Sequence, residues 1–160
     1  DDHNMNTGVG HRLSMLYPNA TSISFGYVKP YNAVSVYYNN NYESSKGGNS
    51  FYSWPSPGYF PIEIITPHSQ WSIQLDDAYH FIDNDVEFIY KGKKYQATNY
   101  VYDNFYNALA FSLPDELLNI VSDNNTFNNG DTITVSVHGV QYGYSDILNI
   151  EYPVNFMTVK

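Results

Sequence analysis

The sequence predicts a mainly β protein: an antiparallel, immunoglobulin-like β-sandwich preceded by a short partial sheet. Three observations point there. Seventeen Tyr and nine Phe stand among 160 residues, and these residues, with Val, Ile and Thr, suit a pleated, half-buried surface. Short segments alternate apolar and polar side chains, the period of a strand. Gly, Pro, Asn and Asp clusters separate those segments at short spacing, as in sandwiches.

The segments follow in order. Asp1 to Gly10 is polar, a helical turn is expected around His11 to Leu16, and Pro18 ends it because the residue before proline leaves the α region. Ile23 to Val28 and Ala33 to Tyr37 alternate as strands, joined by a turn at Lys29-Pro30-Tyr31-Asn32. Asn39 to Ser50 reads as a polar loop. Trp54 to Pro61 carries three prolines in eight residues, which excludes helix and central strand and gives a rigid aromatic connector. Ile62 to Ile65 reads as a brief strand, and Trp71 to Leu75 as a clean one. Val86–Tyr90 and Tyr95–Tyr102 flank Lys91-Gly92-Lys93-Lys94 as a hairpin. Ala108 to Leu113 is a further strand, and Pro114-Asp115-Glu116 starts a short helix. A polar turn spans Asp123 to Asp131, and strands over Thr132–Val137 and Ile147–Val159 complete the set.

Charge narrows the function. Sixteen acidic residues against seven basic ones give a net charge of -9, which opposes nucleic acid and anionic membranes, since phosphate binding needs clustered Lys and Arg. No apolar run approaches the ~18 residues of a membrane span. The absence of cysteine removes disulfides, thiolate metal sites and cysteine nucleophiles. The low charge and the richness in Asn, Tyr and Ser suit an extracellular or cell-surface location.

Several short motifs carry a resemblance. Asp1-Asp2, Asn6, Gly10-His11-Arg12, Leu16, Pro18 and Phe25-Gly26, with Trp54-Pro55, Trp71-Ser72 and the final Tyr152-Pro153-Val154-Asn155-Phe156, resemble the second half of a bacterial CAP domain with a β-rich tail. That superfamily covers the cysteine-rich secretory proteins, antigen five and the pathogenesis-related-one proteins. The resemblance implies a secreted protein, often without a settled enzymatic activity. It also implies an α/β/α sandwich whose early helices supply a histidine and acids to a cavity. Only His11 carries over, as the second cavity histidine, so the cavity is incomplete and an upstream helical CAP segment of the same protein becomes a partner. Residues 1–65 would then be the CAP-like part and 66–160 the sandwich, with a single continuous domain as the alternative.

Candidate chemistry is sparse. His11 is the metal candidate, because neutral imidazole ligates zinc, but zinc needs three or four ligands and the other histidines lack ligand spacing; a structural or exposed role is the plainer reading. Asp76-Asp77, Asp83-Asn84-Asp85 and Asp123-Asn124-Asn125 offer calcium-type oxygens, yet none fits the spaced calcium loop and turn chemistry accounts for them. No cofactor is therefore expected, with zinc or calcium as the alternatives. No G-x-S-x-G elbow is present. Among the aromatics between Tyr37 and Phe60, Tyr42, Trp54 and Tyr59 are the ligand-binding candidates, because loop-borne aromatics escape the inward alternation of strands. The leading expectation is a non-catalytic extracellular module for binding or scaffolding, with a glycan or protein ligand. The alternatives are a carbohydrate-binding module and a fragment of a metal-dependent hydrolase centred on His11.

Overall fold

The computed structural model describes residues 9–17, 20–38, 50–124, 126–145 and 147–159. The chain is mainly β. Helix α1 (Gly10–Leu16) is followed by β1 (Ala20–Val28) and β2 (Tyr31–Tyr38), then β3 (Phe51–Trp54), β4 (Gly58–Pro61), β5 (Trp71–Leu75), β6 (Tyr79–Tyr90), β7 (Lys93–Gln96), β8 (Thr98–Asp103) and β9 (Ala108–Ser112). Helix α2 (Asp115–Val121) leads through the two-residue strands β10 (Ser122–Asp123) and β11 (Thr126–Phe127) to β12 (Thr132–Tyr142) and β13 (Ile147–Met157).

Two large sheets result, ordered β4-β13-β12-β6-β7 and β3-β5-β9-β8. They face each other across one core. Trp71 and Ile73 of β5 and Phe111 of β9 are fully buried against Val86 and Phe88 of β6, Val135 of β12 and Val154 of β13. Ring centroids lie 5.1 Å apart for Trp71 and Phe88, which meet edge-on, and 5.8 Å for Phe88 and Phe111, which are tilted, so aromatic contacts join the layers. Pairing is antiparallel within the two sheets except at β4, which runs parallel to β13 along one edge. An edge is the place where a proline-bearing strand costs no ladder bond.

Two sequence expectations change here. Ile62–Ile64 is a turn of 3-10 helix instead of a strand; it follows Pro61, the end of β4, and two of its three side chains are exposed. Tyr95–Tyr102 is not one hairpin arm. The chain leaves β7 at Ala97 and enters β8 in the opposite sheet, with Tyr95 and Ala97 both buried at that corner; the small alanine lets the backbone cross between layers. Asn99 follows at φ 52, a left-handed conformation that Asn tolerates, where β8 slips its register against β9. Finally, β3 pairs with β5 and β4 with β13. Residues 51–61 are therefore built into the same two sheets as the strands after residue 66.

Gly139 sits at the bulge of β12 opposite β6. Its φ is +70, and a Cβ there would lie 2.7 Å from Cβ of Asp83, so both conformation and space require glycine.

Candidate binding surfaces

Helix α1 lies on the outer face of the four-stranded sheet. Strand alternation sends Leu109 and Phe111 of β9 inward and leaves Ala108 and Ala110 outward. The two alanines admit the helix closely, and Val9 and Leu13 bury themselves there with Tyr106. Arg12 pins the helix at a second point: it donates to the Gln70 carbonyl at 2.8 Å and its guanidinium lies 4.1 Å from the centre of the Trp54 ring. Burial lowers the Arg12 pKa to about 10, because the charged form loses water there.

His11 is exposed on the other side of α1. With Met15, one turn on, it forms one wall of a groove of about 660 Å3, whose other wall is Phe25, Gly26 and Tyr27 of β1 with Asn32, Ala33 and Val34 of β2. The register sets Ile23 opposite Val36, Phe25 opposite Val34 and Tyr27 opposite Asn32. One face of this ribbon thus carries Ile23, Phe25, Tyr27, Val34 and Val36, while the reverse carries Ser22, Ser24 and Ser35 together with Val28, Tyr31 and Tyr37, so apolar side chains stand on both faces. The base is tied down by Tyr17, whose ring meets Tyr38 at 5.8 Å and Tyr106 at 5.6 Å. Beyond the base, Phe25 is 73% and Tyr27 72% exposed. The ribbon pairs with no third strand among the described residues.

The residues singled out from sequence do not converge. Trp54 is half-buried between Arg12 and the edge of Phe60, at 5.6 Å, so its faces serve the attachment of α1. Tyr59 lies on edge strand β4 and is 78% exposed, while the adjacent Phe60 turns into the core. Tyr42 lies outside the described residues. Among the described residues no three of His, Cys, Asp or Glu gather to hold a metal ion. The acidic pairs have local partners: Asp76 caps its own turn by accepting from the Ala78 amide at 3.1 Å, and Asp85 accepts from Gln96 at 2.7 Å.

Two polar arrangements were not read from the sequence. On the outer face of the five-stranded sheet, Nε2 of His138 meets both Ser136 Oγ at 3.3 Å and Glu87 Oε2 at 3.2 Å. A nucleophile–base–acid relay uses the two different ring nitrogens, so this cluster, although it has the three residue types, does not set up that relay. Ser136 also donates to Glu151 and Lys94 to Glu87, at 3.1 and 2.6 Å. The hydrogen bond from Lys94 is the main cause that holds the Glu87 carboxyl below its usual range.

The second arrangement lies at the tip where the β5–β6 turn meets the β12–β13 turn. Asp77, Ala78, His80, Tyr142, Gly143 and Tyr144 line a groove of about 560 Å3. The Gly143 amide donates to the Ala78 carbonyl at 3.0 Å, joining the two turns. The only cue in sequence was Tyr142-Gly143-Tyr144, two aromatics around a turn glycine.

No family model, curated protein or solved structure matches this chain. No helix among the described residues is long and apolar enough to cross a membrane.

Proposed function

We propose that this chain is a non-catalytic, extracellular module of a CAP-like secreted or surface protein, and that it serves binding or scaffolding. The observation that carries the reading is the contrast between a packed sandwich and a β1–β2 ribbon whose apolar side chains lie open beside α1. Contiguous exposed apolar surface marks an interaction site, and a ribbon of two strands is marginal by itself. The Gly10-His11-Arg12 stretch supports the CAP-like part of the proposal: Arg12 anchors the helix to the sandwich while His11 lines the groove. In this reading the occupant of the groove is a helical segment preceding Asp1 in the same protein.

The test is hydrogen exchange on this chain with and without the segment encoded upstream in the reading frame. Amides of residues 20–38 should slow by at least about ten-fold, equal to roughly 1.4 kcal/mol of local protection, when the segment is present. Unchanged exchange across the ribbon would remove the proposal. A carbohydrate-binding role is the second reading, favoured by the aromatic tip groove. The hydrolase fragment centred on His11 has the least support, since one imidazole would need its other ligands from elsewhere.

A further inference from the structure

We propose that the tip groove between the β5–β6 and β12–β13 turns binds a neutral pyranose unit of a glycan; this deepens the binding role proposed above and rests on it. Tyr144 is completely exposed and Tyr142 half-exposed. An exposed Tyr ring on a fixed turn gives a flat apolar face with one polar end, which suits the axial C–H face of a sugar ring.

The Tyr142 ring stands on a packed base. Tyr79 packs against Tyr142 with centroids 5.0 Å apart. The Tyr142 carbonyl accepts from both the amide and the hydroxyl of Ser145, at 2.9 and 2.7 Å. The Gln141 amide nitrogen donates to the Ser145 carbonyl at 2.6 Å. Such bonds order the turn before a ligand arrives, which lowers the entropy lost on binding.

The polar groups match hydroxyls. Asp77 supplies a carboxylate at the rim, an acceptor for sugar hydroxyls. His80 is held by Gln141 at 3.0 Å. Because Gln141 spends its amide nitrogen on Ser145, its oxygen must accept, so Nε2 of His80 carries the proton. In the neutral ring the lone pair is then on Nδ1, a second acceptor. Ala78 and Gly143 keep side-chain bulk out of the groove floor. A volume of about 560 Å3 falls in the range of small-ligand sites, roughly 300–1,000 Å3. The lining holds a carboxylate and no Lys or Arg, and the whole chain is acidic, so uronate and sulfated sugars are disfavoured.

Amide spectra of the isotope-labelled full chain, titrated with neutral trisaccharides of glucose, mannose, xylose and N-acetylglucosamine and with a galacturonate trisaccharide, test the site. The expected result is saturable shifts at Asp77–His80 and Tyr142–Ser145 with at least one neutral probe, and none with galacturonate. Tyr144→Ala should weaken that binding about ten-fold, and Asp77→Asn should weaken it as well, both without moving the unfolding midpoint. The proposal is overturned by silence from every neutral probe at concentrations on the order of 10 mM, by an affinity that Tyr144→Ala leaves unchanged, or by equal binding of galacturonate. None of these amides lies in the β1–β2 ribbon, so this failure is distinct from failure of the exchange test.

Discussion

Strands β1 and β5 have closely similar patterns and opposite fates. Ile23-Ser24-Phe25-Gly26-Tyr27 and Trp71-Ser72-Ile73-Gln74-Leu75 both alternate large apolar residues with small or polar ones. Every residue of β5 is buried, whereas eight of the nine residues of β1 are exposed. The difference lies in what faces them. Strand β5 has the five-stranded sheet on one side and carries α1 over the other side of its sheet; β1 has only β2 and a groove. Alternation makes a strand, but burial is supplied by a second layer. The sandwich is therefore the packed body of the molecule, whereas the ribbon leaves most of its side chains open.

The contrast breaks most sharply on one pair of substitutions. Trp71→Ala, in the middle of the core, should cost about 3–5 kcal/mol, whereas Phe25→Ala on the ribbon should change stability by less than ~0.5 kcal/mol. Urea unfolding of the two variants measures this directly, and equal losses would mean that the ribbon is packed in solution.

Gly139→Ala comes next. Its Cβ would meet Asp83 at 2.7 Å in a left-handed backbone, and a loss of about 1–3 kcal/mol is expected, with the β6–β12 bulge as the first place to open in hydrogen exchange. Arg12→Ala should cost about 1–2 kcal/mol through the lost Gln70 bond and the bared Trp54 face. Its signature is faster exchange in α1 with the core strands unchanged.

The pH dependence sharpens the comparison further. Burial raises the phenol pKa of Tyr152 well above the ordinary 10, and desolvation also raises Tyr100, Tyr102 and Tyr106. A raised folded-state value leaves stability intact below about pH 10 and removes it as pH climbs through the raised values. Arg12 works in the opposite direction. Its folded value of about 10 lies below 12.5, so the folded state sheds the proton first and stability rises between those values. Four phenols outweigh one guanidinium, and the urea midpoint should fall above pH 10. Tyr152→Phe should flatten that fall.

Much of the strand order was legible because side-chain alternation is a local property. The turn at Lys29-Pro30, the helix after Pro114 and the edge position of the Pro-rich segment all follow from backbone chemistry within a few residues. The split at Ala97 was not legible, since Tyr95 to Tyr102 is rich in strand formers and holds no Pro or Gly to mark a break, and only the pairing with β9 puts half of it in the other sheet. The candidate surfaces were harder still. Trp54 looked like a free aromatic because nothing in its neighbourhood announces Arg12, forty-two residues earlier, as its cover. The tip groove brings Asp77 beside Tyr142 across sixty-five residues, a distance at which no spacing rule operates.

The sequence by itself determined that this chain forms strands and where most of them turn. Only the tertiary structure decided which alternating strands are core and which are surface, because a side chain's direction is set by its own backbone whereas its burial is set by whatever layer arrives on that side.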